Sequence, residues 1–138
     1  MNMPEILQET DLRENKFATA INCMDGRVQL PVTEWLKCRF GVDYVDMITE
    51  VGPERVLAED ISQPVVDLIR NKVYTSVRFH NSDIVAIIGH HDCAGNPANK
   101  ETQHKQILNA VKKLDSWGFG VRVVGLWADE NWDVIEVE

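Results

Sequence analysis

Three cysteines are all this chain has, and their odd number makes a poor disulfide framework. Two of them never stand as Cys-x-x-Cys, so a thiol redox role has little to rest on. Free thiols in odd number suit a reducing compartment. Basic residues are also in short supply: 14 Lys and Arg face 22 Asp and Glu, a formal net charge of −8. Such a balance argues against non-specific binding to nucleic acid or to anionic lipid, both of which need a positive field. No segment approaches the roughly 20 consecutive apolar residues of a bilayer span. The opening residues Met1-Asn2-Met3-Pro4-Glu5 lack the basic-then-apolar pattern of a secretory leader, and the expectation is a cytoplasmic protein.

What is present is ordinary for a globular chain: 44% hydrophobic and 26% charged residues over 138 positions, the length of one domain with a real core. There is no internal repeat, low-complexity stretch or linker. Short β-like runs alternate with helical ones. Phe17 to Ile21 reads as a strand, and Val28, Val32, Trp35 and Leu36 then recur at helical spacing, with Pro31 in the first turn and Gly41 as the stop. Tyr44 to Ile48 reads as a second strand. After a break at Gly52-Pro53, Val66, Ile69, Val73 and Val77 mark a long helix capped by Ser62. Ile84 to Ile88 is the clearest strand, apolar throughout and so buried on both faces. Ile107, Leu108, Val111 and Leu114 mark another helix ended by Gly118. Val121 to Leu126 is a further strand, and Trp132 to Val137 a terminal edge strand. Residues 5–15 are expected to form a short N-terminal helix.

This alternation predicts an α/β fold: a three-layer sandwich around a mostly parallel central sheet of about five strands, closed by a C-terminal edge strand. Ligands of such sheets bind beyond the carboxyl ends of the strands. Two clusters fall there. Cys23-Met24-Asp25-Gly26-Arg27 follows the first strand, and Gly89-His90-His91-Asp92-Cys93-Ala94-Gly95 follows the central one. Zinc favours thiolate and imidazole ligands in tetrahedral geometry, and a catalytic site keeps one position open. Cys23, His90 and Cys93 supply such a set, with His91 the rival to His90. Bound zinc lowers the pKa of its water to about 7, which makes hydroxide available at neutral pH. Asp25 can orient that hydroxide or occupy the fourth position itself, and Arg27 can hold the carboxylate by paired hydrogen bonds.

These clusters resemble the β-class carbonic anhydrases, which carry Cys-x-Asp-x-Arg after the first strand and His-x-x-Cys after the third. Val28, Pro31, the apolar run into Gly89-His90, and Val124-Gly125-Leu126-Trp127 extend the likeness over residues 17–137. The resemblance implies one zinc per chain, with Cys23, His90 and Cys93 as ligands and Asp25 with Arg27 as a catalytic dyad. It implies hydration of carbon dioxide to bicarbonate by a zinc-bound hydroxide, and assembly as a homodimer or higher homo-oligomer. The same scaffold also serves carbonyl sulfide and carbon disulfide hydrolases. The chain departs from the pattern at Thr49-Glu50-Val51-Gly52-Pro53, where the family commonly has Arg-Asn-Ala-Gly, and only Asn15-Lys16-Phe17 stands where many members place a Gln. Those departures keep a non-catalytic zinc-binding homologue in view.

The remaining candidates have plainer readings. Cys38 is expected to be a packing or surface thiol, His80 and His104 surface histidines, Asp92 and Glu50 solvated or structural groups, and the four tryptophans packing residues.

Overall fold

The computed structural model describes residues 15–138. The expected N-terminal helix lies almost wholly outside them. One five-stranded sheet runs β2-β1-β3-β4-β5, built from β1 (Phe17–Cys23), β2 (Tyr44–Glu50), β3 (Ile84–His90), β4 (Arg122–Ala128) and β5 (Val134–Val137). The first four strands are parallel, and β5 returns antiparallel along β4, with Gly125 opposite Val137 and Ala128 opposite Val134. Residues of β3 are buried throughout, as expected of a central parallel strand covered on both faces.

Alternation along the strands sends side chains into two cores. Ala18, Ala20, Ala86, Ile88, Val124 and Leu126 face helix α1 (Gly26–Phe40), which contributes Val28, Val32 and Leu36. The alanines keep this face shallow, so the helix can lie close. Ile21, Val85, Ile87 and Trp127 face the other way, against α2 (Pro53–Glu59), α3 (Gln63–His80) and α4 (Lys100–Ser116). These helices bring Leu57, Val66, Ile69, Val73, Ile107, Ala110 and Leu114. The three-layer α/β sandwich with an antiparallel edge strand is the architecture expected. No helix of the described residues is long and apolar enough to cross a membrane.

Several boundaries differ from the expectation. Asp25 caps α1, its carboxylate accepting from the Arg27 backbone N–H at 2.9 Å, so the helix starts at Gly26. Pro31 therefore sits inside the helix, where the first turn was expected, and removes one backbone donor there. The strands β1, β2 and β3 each run two residues longer than their apolar cores. Cys23, Glu50 and His90 are thus the last residues of strands and inherit strand geometry. Helix α2 was not expected: Gly52, in the left-handed region at φ 56°, turns the chain, and Pro53 starts the helix. Helices α3 and α4 are capped by the side chains of Ser62 and Asn99.

Candidate metal centre

Cys23 ends β1 and His90 ends β3, and these strands pair in register, from Thr19 beside Val85 to Ile21 beside Ile87. Both side chains therefore emerge at the carboxyl end of the sheet. Cys93 enters from the loop after β3, which is pinned by the Asn96 N–H donating to the Cys93 carbonyl at 3.2 Å. One ligand atom from each of the three lies within 4.8 Å of the others, and all three residues are buried. The two sulfurs are 3.9 Å apart. Two thiolates at about 2.3 Å from a tetrahedral zinc would stand about 3.8 Å apart, so the pair fits such an ion.

The imidazole is set for the same purpose. His90 Nδ1 is 2.7 Å from the His91 carbonyl, to which its N–H donates. In the neutral imidazole that leaves Nε2 unprotonated, the form a ligand requires. Nε2 is buried and has no hydrogen-bond partner among the described residues. Gln103, on α4, donates to the His90 carbonyl at 3.2 Å and also to the carbonyls of Asn96 and Ala98. His91 is exposed and offers its carbonyl, not its ring.

The two thiols divide one proton unequally. The hydrogen bond between the two sulfurs holds the Cys23 pKa far below its ordinary value. Burial opposes this, and the His90 side chain and the N–H groups of Gly52 and Asp25 add to it. The same hydrogen bond, with burial, pushes Cys93 up. One thiolate thus forms readily and the second needs a cation to replace its proton, the coupling expected of a metal site. Burial alone would lower the His90 pKa, but the Cys23 sulfur and the His91 carbonyl together raise it.

Beside the three ligands lies a bidentate ion pair. Arg27 Nη2 is 2.7 Å from Asp25 Oδ2, and Nε is 3.1 Å from Oδ1. Arg27 holds the Asp25 carboxyl down at about 2, so Asp25 is ionised throughout the neutral range. Arg27 also reaches across to the other loop. Its Nη1 is 3.3 Å from Asp92 Oδ2, and Nη2 donates to the Asp92 carbonyl at 3.2 Å. Asp92, expected to be solvated or structural, is exposed and ties the two ligand-bearing loops together.

Trp132, expected to be a packing residue, lies at the site as well as against the core. The Arg27 guanidinium carbon is 4.8 Å from the centre of its ring, and the His90 ring is 5.9 Å away. His104 is half-buried, contrary to the surface position expected, and packs edge-on against Trp127. Burial, with Lys100 nearby, lowers its pKa. His80 is surface-exposed as expected and pairs with Asp46 at 2.6 Å. Cys38 is exposed, one of the two positions considered for it.

Glu54 was not among the residues expected at the site. It lies on α2 and is 1% exposed. Oε2 accepts from Asn96 Nδ2 at 3.0 Å, and Oε1 has no partner among the described residues. Burial pushes its carboxyl up to about 7. The turn before it is tight: a Cβ on Gly95 would lie 1.8 Å from Val51 Cγ1, so Val51 occupies the space that only glycine leaves.

Residues 13–138 match the model of the family described as "Putative carbonic anhydrase". The chain belongs to this family. No curated protein sequence matches it. The fold of this family member is shared with solved β-carbonic anhydrases at low identity. A carbonic anhydrase from Glaciozyma antarctica is 15% identical with a TM-score of 0.57, over 87% of this chain and 81% of that one. A tetrameric β-carbonic anhydrase from Sordaria macrospora is 13% identical with a TM-score of 0.57, over 89% and 80%. The β-carbonic anhydrase of Aspergillus fumigatus is 16% identical with a TM-score of 0.51, over 96% and 80%.

Proposed function

We propose that this protein hydrates carbon dioxide reversibly to bicarbonate, using one zinc ion held by Cys23, His90 and Cys93. The observation that carries the reading is the buried Cys-His-Cys cluster beside a bidentate Asp25–Arg27 pair, in a chain of the carbonic anhydrase family. When bound, zinc supplies a Lewis acid that makes hydroxide available near neutral pH. The chain's own groups do the rest. The His91 carbonyl fixes the His90 tautomer, which would leave Nε2 free to hold the ion. Asp25 stays ionised and accepts a hydrogen bond from the attacking O–H group, which orients it. Arg27 occupies both Asp25 oxygens and so competes with the ion for that carboxylate.

The substrate is a small neutral molecule. By analogy with the tetrameric neighbour, the protein works as a homo-oligomer, and its free cysteines suit a reducing, cytoplasmic compartment. Carbonyl sulfide would meet the same ligands and the same dyad, so the test compares both substrates. Stopped-flow hydration is measured on zinc-quantified protein from about pH 6 to about pH 9, with carbonyl sulfide hydrolysis alongside. Carbon dioxide turnover that rises with pH and exceeds the sulfur reaction is the expected result. One zinc per chain with no hydration at any pH rejects it, and faster carbonyl sulfide hydrolysis reassigns the substrate.

A further inference from the structure

We propose that Trp132 is a positioning residue: its indole face clamps the Arg27 guanidinium and so keeps Arg27 locked onto Asp25. The proposal rests on the reading of Asp25 and Arg27 given above. Two independent features of the β4–β5 turn carry it. The first is placement. The Arg27 guanidinium carbon is 4.8 Å from the Trp132 ring centre, within the range of a cation–π contact. The Asp25 and Asp92 oxygens take up the guanidinium N–H groups, and the indole ring covers the cation itself.

The second feature is strain. Trp132 has φ 63°, a left-handed conformation that bulky residues rarely adopt. A conformation of this kind persists only where its surroundings over-determine it, and such positions cluster at functional sites. Here Asp129 supplies the constraint. Its Oδ1 accepts from the N–H groups of Asn131 and Asp133 at 2.9 and 3.0 Å, and its carbonyl accepts from the Trp132 N–H at 2.9 Å. The turn is thus tied down around Asp129 and holds Trp132 over the site. Arg27 is about half exposed, and ion pairs in that setting are weak by themselves. A ring stacked on the guanidinium supplies the missing restraint.

The test follows the Arg27 Nε–Hε resonance in nitrogen-15-labelled, zinc-quantified protein, assigned by its loss in Arg27→Lys. In the native protein the ring current is expected to shift this proton upfield and its exchange with solvent to be slow. Trp132→Leu keeps apolar bulk without a ring face. It is expected to return the resonance to the free-arginine position, speed its exchange about tenfold or more, and lower kcat about tenfold with KM unchanged. Trp132→Phe restores the upfield shift and most of the kcat. A Trp132→Leu protein whose Arg27 resonance and exchange match the native ones overturns the clamp, as does Trp132→Phe behaving like Trp132→Leu. The resonance is read without substrate. A native protein that fails to hydrate carbon dioxide therefore sinks the proposed function and leaves the clamp to be decided by the spectra.

Discussion

Two turns leave adjacent parallel strands at the same end of the sheet, and each carries a carboxylate. Cys23 and Glu50 are register partners, so the turn from β1 to α1 and the turn from β2 to α2 start side by side. In the first, Asp25 is partly exposed and bound by Arg27, which holds its pKa at about 2. In the second, Glu54 is buried with no ion pair among the described residues, and burial lifts its pKa to about 7. One chemical group is thus kept charged and the other close to neutral, each just beyond the end of one of two neighbouring strands. Solvation and a partner decide the difference, and pairs separated in this way divide acid–base labour. The first turn offers side chains to the site. The second offers the backbone, since the Gly52 N–H points at the Cys23 sulfur.

The strongest break comes from removing a ligand. Cys23→Ser replaces a thiolate that the surroundings already favour with a hydroxyl that does not ionise at neutral pH. Zinc content, measured by mass spectrometry, is expected to fall well below one per chain and hydration to fall at least about 100-fold. Full zinc and turnover in that variant would remove Cys23 from the centre. Asp25→Asn comes next. Asparagine still caps α1 but carries no charge, so zinc and folding stay while kcat drops about 100-fold. Unchanged turnover would make the first turn structural, like the second. Asp25 is ionised well below neutral pH, so any change of rate between about pH 6 and about pH 9 belongs to another group.

The two turns were also unequally legible. Cys23, Asp25 and Arg27 stand out because thiol, carboxylate and guanidinium in a five-residue stretch after a strand are chemically unusual. His90 and Cys93 stand out for the same reason, and strand-end placement follows from the alternating pattern. Glu54 could not be read in this way. Its burial depends on α2, a seven-residue helix with too few apolar positions to show a period, packing against α4. Val51 against Gly95 is likewise a contact across 44 residues that neither residue type announces. Trp132 was read as a packing residue at the start of the edge strand; the strand begins only at Val134, and the reach of Trp132 to Arg27 depends on a left-handed backbone that tryptophan does not announce.

Glu54→Gln sharpens the contrast in charge. The carboxyl titrates near 4.5 in the unfolded chain and near 7 in the folded one. Between those values the folded state binds more protons, so stability falls as pH rises through the window and is level on either side. Glutamine does not titrate, and its amide can still accept from Asn96. The variant is therefore expected to gain on the native protein by up to about 3 kcal/mol between about pH 4 and about pH 8. Urea unfolding of both proteins at each pH checks this, because the zinc contribution is common to the pair. Parallel stability curves would show that Glu54 ionises as freely as an exposed glutamate.

The smallest effect tests whether the second turn acts through its backbone. Gly95→Ala puts a methyl group 1.8 Å from Val51 Cγ1, so Val51 must move. Val51 is 39% exposed and has room to yield, which places the cost at the low end of overpacking, about 1 kcal/mol. Val51→Ala alone should cost less. The double variant should recover most of the Gly95→Ala loss, because the residues touch and their effects do not add. The same displacement drags Gly52, whose backbone reaches Cys23, and Gly95, whose N–H serves the Cys93 sulfur. Zinc retention against a chelator should therefore weaken a few-fold in Gly95→Ala and return in the double variant. A stability loss without a zinc effect would mean that the second turn only packs against the centre, and that side chains of the first turn and of the loop after β3 hold the metal unaided.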